Sequence, residues 1–458
     1  MSRLATRVSP HSHRVGPVLA RLAVAFILGL SACAEHGTVA NKPPPAQAKP
    51  AAQAPQGAPV TPVTQQPVKP VEQAPPAQAP ATGQPATPSA SGTSGQAKVN
   101  VAILLPLSGP NAALGKALLN AAQMALYDVG GEGFALSPRD TETGTDGAAA
   151  AARAALADGA KLILGPLFSA SVAAVAPVAK AGGVNVVAFS NDARQAAPGV
   201  YIMGFLPRAQ VDRVVAYARG KGMTHFGALV PSNPYGQEVE DGFRQAVEGS
   251  GGDIVDIETY ETAGKDATEA VKQLAKSNSK KAGGIGYDAI MVPDGGDRLL
   301  AIGPLFPYYD LDPTKIKLLG SGQWDDPRLA KEPSLVGGWY AASDPQIRAD
   351  FEQRYASLYG GAKPPLVATL AYDATALATA LARSPSGPDF SVAALTNPNG
   401  FSGLTGVFRF RDNGLVERNL AVLEVSAGGA KVIDPAATSF VGGATQTSEL
   451  GRAPGEKP

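Results

Sequence analysis

A chain of 458 residues sets 39 Lys and Arg against 39 Asp and Glu, for a formal net charge of zero. With the two signs interspersed, no basic face is available to neutralise a phosphate backbone or an anionic membrane surface, so nucleic acid is excluded as a natural partner. The single cysteine, Cys33, leaves no disulfide or Cys-ligated metal within one molecule.

In chain order, the first feature is a basic stretch with Arg3, Arg7, Arg14 and Arg21, then an apolar run from Leu22 to Leu30, then Leu30-Ser31-Ala32-Cys33. The run is far below the ~20 residues that span a bilayer, so residues 1–33 read as a secretory signal. It ends in the pattern of a bacterial lipoprotein lipobox, which would make Cys33 the lipidated first residue of the mature chain. An incidental thiol near an ordinary cleavage site is the plainer alternative. Ala34, not aspartate, follows Cys33, which under the usual sorting rule points to the outer membrane.

Residues 34–97 are dominated by Pro, Ala, Gln, Gly, Ser and Thr, as in NKPPPAQAKPAAQAPQGAPVTPVTQQPVKP. Such a segment cannot bury enough apolar surface to offset chain entropy. A disordered tether with a reach on the order of 50 to 200 Å is expected.

After Gln96 the composition changes. VNVAILLPL has the length and β-branched content of a buried parallel strand, and Leu114, Leu118, Ala121, Ala122, Ala125 and Leu126 predict a helix over 111–129. Further strands are expected at 161–164, 184–189, 225–230, 253–260, 289–292 and 316–319, with helices over 169–181, 208–221, 235–248 and 267–277 between them. Repeated β-α units imply a parallel sheet covered on both faces, and there are too many units for one compact sheet. Residues 199–207 read as an extended connection where the chain first crosses between lobes. Helices over 346–359 and 366–381 precede alternating apolar runs joined by Asp412-Asn413-Gly414, a hairpin signal.

These segments carry a resemblance. LLPLSGPNAALGKALLNAAQMAL, LILGPLFSASVAAVAPVAKAGGVNVVAFSND, PYGQEVEDGFRQAVEGSGGDIV and GLTGVFRFRDNG, in this order, resemble the periplasmic-binding fold type 1, in particular the leucine/isoleucine/valine-binding-protein-like group. The resemblance implies an α/β fold of two parallel-sheet lobes with multiple hinge crossovers over residues 98–433. The expected division gives lobe 1 residues 98–206 and 325–383 and lobe 2 residues 207–324 and 400–433, with a disordered tail over 434–458.

Candidate ligand contacts follow. Ser169, after Gly165-Pro166, stands near a helix start, where free N–H groups and a hydroxyl can hold an anion; a plain helix cap is the equal alternative. Ser190, Asn191 and Asp192 follow a strand at the carboxyl edge of the sheet, where α/β proteins place ligands. The resemblance implies that matching positions hold an α-amino-acid head group. It also implies that Tyr235 faces the cleft from the second lobe, although a turn aromatic packing on the surface is an alternative. Ser108, in the opening segment, completes the first-lobe set. Where amino-acid receptors of this group offer an acid, the chain reads Gly320-Ser321-Gly322-Gln323-Trp324, so Gln323 cannot pair with an ammonium, and Asp294 is the candidate substitute. A buried ammonium without a carboxylate costs several kcal/mol, which argues against amino-acid binding.

Enzyme readings find little support. His11, His13 and His36 fall in the signal or tether, leaving His225 alone. Residues 109–116 end in Gly115-Lys116 but carry one residue too many for a phosphate loop, and Ala117 replaces the hydroxyl that would bind magnesium. Asp325-Asp326 and Asp140-Thr141-Glu142 fit solvated turns or caps. No catalytic residue, cofactor or metal is expected.

Two functions remain. One is a regulator similar to lipoprotein activators of penicillin-binding proteins, with a peptidoglycan synthase as partner. The alternative is a receptor for amino acids or another small solute, partnered by an ABC permease. The tether and Ala34 favour the regulator, since an outer-membrane anchor would hold the domain away from an inner-membrane permease and a long linker sets which partners are in reach.

Overall fold

The computed structural model describes residues 98–440 except 131–132, 143, 263–265 and 281–285, together with the backbone but not the side chains of 279–280. The expected signal, Cys33, the tether and residues 441–458 lie outside the described residues.

Strand β1 (Val99–Leu105) is buried from Val101 onward because helices cover both faces of the sheet it starts. The order α1 (Ala112–Val129), β2 (Phe134–Asp140), α2 (Thr145–Ala157), β3 (Leu162–Leu164), α3 (Ser169–Ala181), β4 (Asn185–Ala188), β5 (Val200–Ile202) builds a five-stranded sheet, β2-β1-β3-β4-β5. Every pairing in it is parallel. Its core is aliphatic: Ile103, Leu104, Leu162, Ile163, Val186 and Val187 are fully buried.

The chain then crosses through 203–206 into α4 (Pro207–Gly220), β6 (His225–Pro231), α5 (Pro234–Gly249), β7 (Asp253–Tyr260), α6 (Thr268–Lys280), β8 (Ala289–Met291), α7 (Gly296–Ile302), α8 (Leu305–Tyr308), β9 (Lys317–Gly320) and β10 (Trp339–Ala342). It crosses back at 343–344 into α9 (Pro345–Leu358), α10 (Ala368–Ala382), α11 (Val392–Leu395) and the small antiparallel sheet β11 (Phe401–Gly403), β12 (Gly406–Phe410) and β13 (Val416–Arg418). A third crossing at 419–420 leads to β14 (Ala421–Ser426) and β15 (Gly429–Asp434), which extend the second sheet to β15-β14-β10-β9-β8-β6-β7. In that sheet β14 runs antiparallel to β10, and β15 antiparallel to β14. The result is a two-lobed α/β domain with three crossings.

The lobe assignment differs from expectation in two places. Residues up to 342 stay with the second lobe, because β10 pairs with β9 and β14. The hairpin belongs to the first, because Phe408, Phe410 and Val416 enter the first core and the Phe410 ring lies 5.2 Å from that of Tyr201. Alternation in a hairpin predicts an apolar face but not which core receives it. Within the expected extended connection, 200–202 is the edge strand β5. The tail expected from 434 is held through 440: Asp434 pairs with Arg213, Asn419 donates to the Ala437 carbonyl at 2.8 Å, and the Arg409 guanidinium lies 4.3 Å from the Phe440 ring centroid.

Candidate functional site

The carboxyl ends of the strands bring most of the polar residues of interest toward the crossings, as a parallel sheet dictates. On the first lobe, β4 delivers Ser190, Asn191 and Asp192 beside the start of α3. Ser169 Oγ donates to Asp192 Oδ2 at 2.5 Å, and Arg194 grips the same carboxylate through Nε at 2.8 Å and Nη2 at 2.9 Å. The Arg194 guanidinium, then the Ser169 hydroxyl, hold the Asp192 carboxyl well below the usual range despite partial burial. Ser190 accepts from the Asp192 N–H at 3.1 Å. The hydroxyl foreseen for a ligand anion is thus occupied by a carboxylate of the chain itself. Gly204 is required where it stands, since a Cβ there would lie 2.1 Å from the Ser190 carbonyl oxygen; its absence lets the first crossing press against this loop.

On the second lobe, Asn233 caps α5 by accepting from Gly236 N at 2.9 Å, which fixes Tyr235 in the first turn. Its hydroxyl donates to the Pro293 carbonyl at 3.0 Å and meets Ser321 Oγ at 2.9 Å. Burial raises its pKa above the ordinary tyrosine value. Ser321 in turn caps the short turn carrying Gln323, and the Gly322 N–H donates to Gln210 Oε1 at 2.8 Å. Asp294 is 6% exposed and fully engaged: Tyr260 donates to it, Arg298 lies at 3.3 Å, and its own Oδ1 accepts from Gly295 N at 2.9 Å. Burial, then the hydrogen bond to Asp294 and that carboxylate's charge, push the Tyr260 hydroxyl up. This carboxylate is a structural anchor with no free oxygen to offer an ammonium.

Between the lobes lies a cavity of about 260 Å³. Asn191 and Leu366 line it from the first-lobe side, Gln210, Tyr235 and Gln323 from the second, and Phe205, Ser343 and Leu420 from the first, second and third crossings. Of the residues singled out from sequence, Tyr235, Gln323 and Asn191 meet here. Ser169, Ser190 and Asp192 form a cluster of their own beside it. Ser108 is exposed, with its N–H on Asp140 Oδ1 at 3.3 Å, and it and Asp294 do not line the cavity. Phe205, Gln210, Ser343, Leu366 and Leu420 escaped the sequence reading. Ser343 follows β10, a strand with no recognised signal, and Phe205 sits inside the connection read only as a crossing. A larger furrow of about 920 Å³, with Tyr127 and Leu358 on its walls, runs over the outside of the first lobe between α1 and α9. Its polar lining is partly engaged within the lobe, Asp128 with Arg354 and Tyr372, and it lies away from the carboxyl ends of the strands where α/β folds place ligands, so the interlobe cavity is the better candidate.

Two buried ion clusters brace the crossings. Arg348 of α9 pairs with Asp325 of the second lobe and, through Nε, with Glu352 at 2.8 Å. Arg418 donates to Thr405 and, through Nη2, to the Met203 carbonyl at 3.3 Å, so it ties the third crossing to the first. Its guanidinium lies 5.4 Å from the Phe205 ring centroid and 5.0 Å from that of Phe408, a stacked cation on either side. Nearby, Asp373 Oδ1 accepts from Leu404 N at 2.7 Å while Oδ2 has no partner. Burial pushes Asp373 up to about 6 and Arg418 down to about 10. Among the described residues no group of acids, histidines or cysteines could hold a metal ion.

The comparisons follow this geometry. A family model described as periplasmic binding protein matches residues 98–430. A Rickettsia prowazekii protein described as uncharacterized is 28% identical over 189 residues, 41% of this chain; the match spans about half (49%) of that relative's length. Among solved structures, a putative branched-chain amino acid ABC transporter protein from Rhodospirillum rubrum superposes with a TM-score of 0.64 at 22% identity, covering 73% of this chain and 100% of its own. An ABC transporter substrate-binding protein from Sphaerobacter thermophilus gives 0.62 at 20%, covering 75% and 98%. A solute-binding protein from R. palustris in complex with benzoate gives 0.53 at 19%, covering 74% and 98%. At these identities the structures establish a shared fold.

Proposed function

The chain belongs to the periplasmic binding protein family, and on that premise we propose that it is a non-enzymatic envelope receptor that closes two lobes over a small solute and presents it to an ABC permease. The observation that carries this reading is a cavity of about 260 Å³ to which both lobes and the crossings all contribute side chains. A molecule held there gains contacts only when the lobes approach, which is the differential affinity that hinge closure needs. No helix among the described residues is long and apolar enough to cross a membrane; in this reading the lipobox at Cys33 would supply the attachment.

The test is ligand-linked stability. Native mass spectrometry of the purified protein identifies co-purifying small molecules, which are added back during thermal unfolding. A ligand at about a hundred times its dissociation constant adds ~2.7 kcal/mol. Failure of every recovered molecule to stabilise the domain, with no compaction by small-angle scattering, removes the receptor reading.

A second reading is favoured by the sequence ahead of the domain. Cys33-Ala34 and the Pro/Ala/Gln-rich stretch over 34–97 suit an outer-membrane lipoprotein that reaches a peptidoglycan synthase and regulates it by contact. Capture of such a synthase by the full chain, lost when 34–97 is shortened, would support it.

A further inference from the structure

We infer that the cleft is built for an electrically neutral, hydrogen-bonding small molecule, and not for a zwitterionic amino acid or an organic ion; this rests on the receptor reading above and names the chemistry of its ligand. The polar walls are the amides of Asn191, Gln210 and Gln323 and the hydroxyls of Ser343 and Tyr235. Among the described residues, no carboxylate, ammonium or guanidinium lines the cavity. Amides and hydroxyls both donate and accept, so they match hydroxyl, carbonyl or amide groups on a ligand, whereas an ion brought among them would lose its hydration without gaining a counter-charge.

Two of these groups are unspent. Ser343 is 4% exposed and faces the cavity, yet within the described chain its hydroxyl has no hydrogen-bond partner. Its hydroxyl opens onto the cavity with both donor and acceptor capacity free, and a ligand group can take up what the fold leaves unused. Gln210 commits Oε1 to Gly322 N and keeps its amide donors. Phe205, backed by the Arg418 guanidinium, adds an apolar ring to the same cavity, on which the carbon face of a polyol or an alkyl amide can lie. A space of about 260 Å³ limits the occupant to less than drug size.

Two of the carboxylates around the cavity are already paired. Asp192 is bound by Ser169 and Arg194, and Asp294 by Tyr260 and Arg298. Glu238, one turn along α5 from Tyr235, is half-buried and makes no ion pair among the described residues; burial, then Asp192, raise its pKa against the opposing Arg194, and it faces the rim cluster without lining the cavity. Neither an amino-acid carboxylate nor its ammonium finds a free partner of opposite sign in the cavity itself.

The experiment is isothermal titration of the full chain with a charge series on one alkyl body: leucine, leucinamide, 4-methylpentanoate and the uncharged N-acetylleucinamide, with glucose as an uncharged probe of different body. A neutral probe is expected to bind at least ~10-fold more tightly than every charged one. Ser343→Ala is expected to weaken that probe by about 10-fold while leaving the thermal midpoint unchanged, because its hydroxyl supports nothing within the chain. Tighter binding of leucine, leucinamide or 4-methylpentanoate than of both neutral probes overturns the inference and leaves the receptor reading standing. Binding of none of the five also overturns it, and the receptor reading is then decided separately by the co-purified molecules.

Discussion

Asp192 and Ser343 stand at the same cleft and are treated in opposite ways. At the rim, the Asp192 carboxylate collects Ser169, Arg194 and the Arg194 backbone N–H, and the buried ions of the crossings, Arg348 and Arg418, are likewise held by the fold. Inside, Ser343 is as buried as any of these and has no partner in the described chain. The difference separates groups that hold the domain together from groups left for something else. Charges are costly to bury unpaired, so the fold engages each of these ions on itself, even where a single atom such as Asp373 Oδ2 stays without a partner; neutral polar groups cost less to leave waiting. Substitutions at rim and crossings should therefore register in stability, and substitutions inside the cavity in binding.

The largest effect is expected at Arg418. Replacement by Ala removes the hydrogen bonds to Met203 and Thr405 and the stacking on Phe205 and Phe408, and leaves Asp373 buried without its cation. Urea unfolding should show a loss of about 3–5 kcal/mol near pH 8. The loss should shrink toward pH 5, where Asp373 can take up a proton. A loss below ~1 kcal/mol would place Arg418 with the cavity residues and break the division.

Next comes Asp294→Ala, which strands Tyr260 and Arg298 together. A destabilisation of roughly 2–3 kcal/mol is expected by the same measurement, because a buried charged partner is removed from a satisfied network. If leucine binding were lost with no change in stability, Asp294 would be a ligand group after all.

The third test uses pH. Asp373 has its folded pKa raised to about 6 by burial, above its unfolded value, so its contribution is fully present below about pH 4 and is lost as pH rises through about 6. Over that window wild type should lose roughly 1–3 kcal/mol relative to Asp373→Asn, which cannot titrate. The difference between the two proteins is the informative quantity, since Asp192 has its pKa depressed, chiefly by Arg194, and opposes the trend at low pH. Equal slopes in the two proteins would show that Asp373 is not the titrating group.

How much of this was legible beforehand follows the same line between kinds of interaction. The β-α alternation reads directly from apolar runs and spacing: α3 falls over the predicted 169–181, and β7 over 253–260. β2 was missed because FALSPRD is a half-exposed edge strand with Pro138 and Arg139 in place of a continuous apolar run. α2, rich in Ala and buried at Ala148, Ala151, Ala152 and Ala155, had a helix signal in TDGAAAAARAALA that went unused. Within the site, a strand end pointed to Asn191, and the family resemblance to Tyr235 and Gln323. Ser343 and Leu420 were out of reach, since a residue at a crossing takes its place from how two lobes meet, and no local pattern encodes that.

The smallest expected effect belongs to Asn191→Ala. Its side-chain amide lines the cavity from the loop between Ser190 and Asp192, is exposed, and makes no hydrogen bond within the described chain. The neighbouring backbone is fixed independently, by Ser190 Oγ on Asp192 N and by the approach of Gly204 to the Ser190 carbonyl. Stability should stay within about 0.5 kcal/mol of wild type, while binding of a neutral probe should weaken by ~5-fold or more, the scale of one net hydrogen bond. If instead the variant lost more than ~1 kcal/mol with binding unchanged, the amide would be holding the loop, and a cavity residue would have behaved like a rim residue.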